Sequence, residues 1–244
     1  MNSQANQSSR TSGYNHNHYR WRRRILRFLI DKGGFNLLAK LDRAEGLENV
    51  PDTGPAILMI NHIAFIDPIL VINVVSRDIV PLAKAEVYSY PVVGIFPRLW
   101  GVIPVRREEF DRTAVRQVLE VLEAGEIVLV APEATRGPQL KMGKEGVAYM
   151  ASRSGAPVVP VAIEGTTSYP ALRFTSAWRE PGAHVKFGQP FCFREEYRRA
   201  NRDQLRIMTD EAMYILSAML PPNRRGVYSD LSQATQDTIE FLKR

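Results

Sequence analysis

A chain of 244 residues, 45 % hydrophobic and 24 % charged, is long enough to bury the full core of one domain. Its single cysteine, Cys192, excludes an internal disulfide framework and fits a reducing compartment. No apolar run reaches the ~18–20 residues of a membrane-spanning helix, and no stretch reads as the core of a secretory signal, so a cytoplasmic protein is expected. The net charge of +6 is local: Arg20 to Arg43 holds eight Lys/Arg and two Asp/Glu, whereas residues 44–244 hold 23 and 24.

Residues 1–18, rich in Asn, Gln and Ser, read as a disordered tail in which His16 and His18 are inert. Residues 19–43 form a basic amphipathic segment of two short helical pieces broken near Gly33-Gly34. Trp21, Ile25, Leu26, Phe28, Leu29 and Ile30 interleave with arginines there. That mixture suits a helix lying in an anionic membrane surface, and equally a helix packed on its own domain with a solvated arginine face. Nucleic acid is not an expected partner, because the body offers no basic stripe to extend a footprint.

From 44 to 226, short apolar runs alternate with amphipathic stretches. Strands are expected at 55–60, 79–83, 101–105, 126–131, 157–163 and 183–188. Helices are expected at 68–76, 86–97, 109–124, 143–154 and 203–219. The clearest is 109–124, where Phe110, Val115, Val118, Leu119 and Leu122 recur near helical spacing and Gly125 ends the run. The alternation predicts an α/β fold: a single domain with a mostly parallel or mixed sheet flanked by helices. Residues 227–244 read as a C-terminal tail with a last helix over 230–242.

Chemistry concentrates where strands end. Asn61-His62-Ile63-Ala64-Phe65-Ile66-Asp67 follows the first apolar run and sets an imidazole five residues before a carboxylate. Five residues is about 140° of helical rotation, so His62 and Asp67 meet only if 62–66 form a turn, with Asp67 as N-cap and Pro68 at the first helical position. A histidine oriented by a carboxylate can deprotonate a hydroxyl nucleophile. The plain alternative is a buried histidine satisfied by a capping aspartate. Ala131-Pro132-Glu133-Ala134-Thr135-Arg136-Gly137 follows another apolar run. There Arg136 and Thr135 suit a phosphate, while Glu133 suits a substrate hydroxyl or a lock on Arg136. Arg106-Arg107 and Lys84 close two further strands, so four strand ends deliver His62, Lys84, Arg107 and Arg136. One base among several cations describes a site for an anionic, hydroxyl-bearing substrate.

Read in order, Asn61-His62-x4-Asp67-Pro68, Gly101-x-Ile103-Pro104-Val105-x-Arg107, Pro132-Glu133-x-Thr135-Arg136 and Val158-Val159-Pro160-Val161-Ala162-Ile163-x-Gly165-Thr166 resemble the motifs of lysophosphatidic acid acyltransferase (PlsC-like) glycerolipid acyltransferases over residues 40–226. The resemblance implies transfer of a fatty acyl group from acyl-CoA or acyl-carrier protein to a lysophospholipid hydroxyl, lysophosphatidic acid by default, at the cytoplasmic face of a membrane. No cofactor or metal is implied, only the thioester co-substrate. His62 resembles the general base and Asp67 its partner; Arg107, Glu133, Thr135 and Arg136 resemble the acceptor-binding set, and Gly165 and Thr166 the fourth motif near the site. Three departures touch the acceptor pocket: Ala134 where the family has Gly, Gly137 where it has Ser, and Arg106 where an acidic residue is common. Two other classes stay open, a catalytically silent lipid-binding protein of the same fold and a thioesterase. A Ser or Cys nucleophile is disfavoured, since no G-x-S-x-G elbow occurs and Cys192 lies outside every motif.

Overall fold

The computed structural model describes residues 14–30, 32, 35–106 and 111–243. Its centre is a mixed sheet whose middle strands are apolar because both faces are covered. β1 (Leu41–Glu45), β2 (Ala56–Ile60), β3 (Ile79–Lys84), β4 (Ile103–Val105), β5 (Ile127–Val130), β6 (Val158–Glu164) and β7 (Ala183–Phe187) lie in the order β1-β7-β6-β2-β5-β3-β4. All neighbours in this order run parallel except β6 and β7. β8 (Phe191–Phe193) pairs antiparallel with β6 at Val158, and β9 (Ile239–Phe241) pairs with β8.

Alternation along the strands divides the core into two layers. Leu58, Ile60, Val159 and Val161 face α3 (Asp67–Val74) and α4 (Ile95–Trp100), burying Leu70, Val71 and Trp100. Ile57, Met59, Val128 and Val130 face α5 (Arg112–Glu123), α6 (Gly146–Ser154) and α7 (Arg202–Ala218), burying Val118, Met150 and Met213. Each such side chain is worth about 1.5–3 kcal/mol of transfer from water. The parallel strands β6, β2, β5, β3 and β4 end on one edge, which is where α/β sheets hold ligands.

Several expectations need correction. The helix over 86–97 is replaced by a 3₁₀ turn at Ala85–Ser89 and the short α4, because Tyr90 precedes Pro91 and is extended at φ −72°, ψ 129°. The strand over 101–105 begins only at Ile103, since Gly101 closes α4 at φ +77°. β1 was not expected at all: Leu-Asp-Arg-Ala-Glu is a polar edge strand. The helix over 230–242 is instead a 3₁₀ turn at Leu231–Gln233 followed by β9. Buried Glu211 of α7 dictates that path, accepting from Thr235 Oγ1, Asp237 N, Thr238 N and Thr238 Oγ1.

The basic segment differs most. α1 (His16–Leu29) starts inside the expected tail, and His16 is buried there, not inert. Its Nδ1 lies 2.9 Å from Arg23, its Nε2 3.0 Å from Glu126, and burial with the Arg23 charge lowers its pKa. Arg23 has no exposed surface and donates to Trp100 O at 2.7 Å and to Tyr14 OH. Arg27 donates to Val75 O and Arg77 O. The helix therefore turns two arginines inward onto the carbonyl ends of α3 and α4, favourable partners for cations. Trp21 and Phe28, each 59 % exposed, face water with Ile25 and Leu29. The solvated-arginine-face reading is thus reversed for Arg23 and Arg27. A one-turn α2 (Phe35–Leu38) follows, with Leu37 and Leu38 exposed. Among the described residues, no helix is long and apolar enough to cross a membrane.

Candidate active site

His62 stands just past β2, in the turn the sequence demands. Its Nδ1 donates to Asp67 Oδ2 at 2.9 Å, and the same oxygen accepts from Ile63 N at 2.7 Å and Ala64 N at 2.8 Å. Asp67 has no exposed surface. It sits in the first turn of α3, one residue later than expected, and its side chain caps the 62–64 turn and not the helix. All three donors, the two turn N–H groups and the imidazole, fall on Oδ2, and buried Oδ1 has no partner among the described residues. With the carboxylate oxygen accepting, the hydrogen of this bond belongs to Nδ1, and in the neutral imidazole Nε2 is then the nitrogen with the free lone pair.

The neighbouring strands lock this turn. Asn61, buried, accepts from Ile163 N at 2.7 Å and donates to Ile163 O at 2.9 Å, joining the ends of β2 and β6. Glu133, only 5 % exposed, accepts from His62 N at 3.2 Å and Lys141 N at 2.9 Å, and Gly137 N donates to His62 O at 2.9 Å. Burial raises the Glu133 pKa, against those two backbone donors and the nearby cations, which lower it. Within the same loop Ala134 adopts φ +55°, a left-handed conformation that glycine would occupy without strain.

A cleft of about 960 Å³ opens in front of His62. His62, Lys84, Thr135 and Arg136 all line it, so three strand ends meet there as expected. Lys84 is paired with Glu86 at 3.1 Å. Arg107 lies outside the described residues. Glu133, Gly165 and Thr166 do not line the cleft. Glu133 gives both oxygens to backbone N–H groups, and its expected bond to Arg136 is not formed. Gly165 ends β6 at φ +73°, where a Cβ would lie 2.4 Å from Gly182 O, and Thr166 is fully buried behind it. The motif's contribution at this end is close backbone packing.

The cleft also has walls that the motifs did not announce. Lys144 and Glu145 precede α6, Arg202 opens α7, and Arg106 stands beside Asp111, whose Oδ2 accepts from Arg106 N at 3.0 Å. Leu82, Val105, Val115, Met150 and Leu205 give it an apolar lining. Only Arg106 carried a signal in sequence, by closing a strand; Lys144 and Arg202 are ordinary helix-flanking charges until the fold brings them together. A base held by a carboxylate, an apolar wall and a rim of mixed charge can deprotonate a hydroxyl on an amphiphile with an anionic head.

A model of the acyltransferase family matches residues 43–164, half of the chain, and the chain belongs to that family. Over 128 residues it is 33 % identical to the 1-acyl-sn-glycerol-3-phosphate acyltransferase of Borreliella burgdorferi, a match covering 51 % of each chain. Over 84 residues it is 40 % identical to the lyso-ornithine lipid O-acyltransferase of Rhizobium meliloti, covering 33 % of this chain and 28 % of that one. The crystal structure of PlsC, the 1-acyl-sn-glycerophosphate acyltransferase of Thermotoga maritima, shares its fold with a TM-score of 0.57 and 25 % identity, covering 78 % of this chain and 77 % of that chain. The chain spans about half the length of the first of these curated relatives.

Proposed function

We propose that the chain transfers a fatty acyl group from a thioester, acyl-CoA or acyl-carrier protein, to the free hydroxyl of 1-acyl-sn-glycerol 3-phosphate, giving phosphatidic acid. The observation that carries this is His62, fastened at Nδ1 by buried Asp67 while its ring lines the cleft. Nε2 takes the hydroxyl proton as the oxygen attacks the thioester carbonyl. The new C–O bond forms a tetrahedral intermediate, which collapses by breaking C–S, and the imidazolium returns the proton to the departing thiolate. No acyl-enzyme is needed, because the thioester is already activated. Arg136 and Thr135 hold the acceptor phosphate, Lys84 adds positive charge, Arg107 is assigned to the same role by the motif resemblance alone, and the names of the relatives agree with such an acceptor.

The protein works peripherally, at an anionic membrane surface. The support is the outward apolar face of α1, Trp21-Ile25-Phe28-Leu29, with Arg20 and Arg24 also exposed beside it. A second acceptor class, a lyso-ornithine lipid, draws support from the acids Glu86, Asp111 and Glu145 interspersed among the cleft cations, which suit a zwitterionic head.

The test is thiol release with acyl-CoA or acylated carrier protein against a panel of lyso-acceptors, using wild type and His62→Ala. Release that requires 1-acylglycerol 3-phosphate and vanishes in the variant is the expected result. Release with no acceptor would make the chain a thioesterase, and silence with both donors would make it a lipid-binding member of the family.

A further inference from the structure

The excursion between β6 and β7 has no part in acyl transfer as described. The structure divides its aromatic residues from those of the strands that follow it. Phe187 and Phe191 are sheet core. Trp178 packs edge-on against buried Tyr169, centroids 6.0 Å apart, and its Nε1 donates to Ala171 O at 3.0 Å. Leu172 O accepts from Thr175 N at 2.9 Å and Thr175 Oγ1 at 2.8 Å, and Trp178 N donates to Thr175 O at 3.2 Å. Phe174 is left 84 % exposed, with Leu172 exposed beside it. A loop bonded this closely holds two large apolar side chains out in water, although its own core can accommodate Trp178.

We propose that the Leu172-Arg173-Phe174 tip is a second lipid-insertion point, seated with α1 and α2 in one anionic bilayer surface; the proposal rests on the membrane-surface reading of α1. Three observations carry it. The tip is continuous with α2, because Ala171 N donates to Leu38 O at 2.8 Å and Leu37 and Leu38 are themselves exposed. It lies on the same side of the sheet as α1, since Ala171, Trp178, Leu26 and Ile30 all pack on the core layer of α3 and α4. The charge is right: Arg173 stands 5.9 Å over the Trp178 ring, Arg179 is exposed one residue beyond, and Lys40 donates to Glu180 O. The acids nearby are already engaged, Asp42 with Gly182 N and Lys40, Glu180 with Ser168 Oγ. Aromatic and aliphatic side chains flanked by arginines match the boundary between anionic headgroups and acyl chains.

The experiment is co-sedimentation of the full chain with phosphatidylcholine vesicles, with and without phosphatidylglycerol. It compares wild type, Leu172→Ser/Phe174→Ser and, for α1, Trp21→Ser/Phe28→Ser. The loop variant is expected to bind anionic vesicles about tenfold more weakly than wild type, with an unchanged unfolding temperature. A polarity-sensitive dye at Phe174→Cys, in a Cys192→Ser background, is expected to shift to the blue on the same vesicles. Wild-type binding by the loop variant with no dye shift would overturn the proposal, and loss of binding in the α1 variant alone would leave the α1 reading standing. Absence of binding by wild type would sink both readings. Unchanged vesicle binding with a change in the sedimentation of lipid-free protein would assign the tip to a second copy of the chain and overturn the bilayer.

Discussion

At the scale of single residues, each side chain in the motifs acts through a distinct physical route. His62→Ala is expected to lower acyl transfer by about 10³-fold, within the range for loss of a general base, with little change in acceptor KM, measured by thiol release. Glu133→Gln tests the backbone clamp. A glutamine accepts at one oxygen and turns its NH₂ toward the other N–H, so a loss of about 1–3 kcal/mol in urea unfolding is expected. The pH dependence has a definite sign. Because burial raises the Glu133 pKa above its ordinary 4.5, the folded chain holds that proton more tightly than the unfolded chain. The resulting stability is fully present below about pH 4.5 and is lost as pH rises through the raised value. The stability of wild type relative to Glu133→Gln is therefore expected to decline as pH rises above about 4.5. Ala134→Gly relieves the left-handed strain at φ +55°. Allowing for the extra freedom glycine gives the unfolded chain, a gain of about 0.5–1 kcal/mol is expected. The His62–Asp67 contact was legible because both partners lie in one turn. The clamp by Glu133 was not, since its receptors, the N–H groups of His62 and Lys141, are backbone atoms that any residue type supplies.

At the scale of elements, legibility followed burial. β2, β5 and β6 stood out as apolar runs because each is covered on both faces. β1 was invisible for the opposite reason: at the edge, beside β7 alone, Asp42 and Arg43 meet water. β9 was misread as helix because its conformation is imposed by β8 and Glu211, neither of which is local. α1 shows the limit of amphipathic patterning. Arginines and apolar residues alternate around it, and sequence could not say which face turns inward until the carbonyls of Trp100, Val75 and Arg77 were in place. Arg23→Met is expected to cost about 2–4 kcal/mol through lost charge-assisted bonds and to expose α1 to protease, read by limited proteolysis alongside urea unfolding. Gly101→Ala offers an independent release, since its Cβ would lie 2.5 Å from the Tyr19 ring at a position with φ +77°.

At the scale of the whole molecule, the parallel strands gather residues from 62, 84 and 136 onto one edge, while the C-terminal segment closes the far flank of the sheet. Phe241 stacks edge-on with Phe191, and Ile239 and Thr238 are buried. Truncation after Ser229 removes the partners of Glu211 and uncovers Phe191. A loss of several degrees in unfolding temperature is expected, consistent with about 2–3 kcal/mol, with the geometry at His62 untouched. Residues that read as a tail are therefore a structural clasp.

The inward arginines of α1 also bear on how the protein behaves when handled. With Arg23 and Arg27 fastened inside, the helix has no conformation at hand in which Trp21, Ile25, Phe28 and Leu29 are hidden while its bonds survive. In lipid-free buffer that face stays wet, and its remaining recourse is to meet another apolar surface, so concentrated stocks will aggregate unless detergent is present. Solubility is to be gained by making those four positions polar. Replacing the arginines, the more obvious choice for a sticky basic helix, would unfasten the helix and make matters worse.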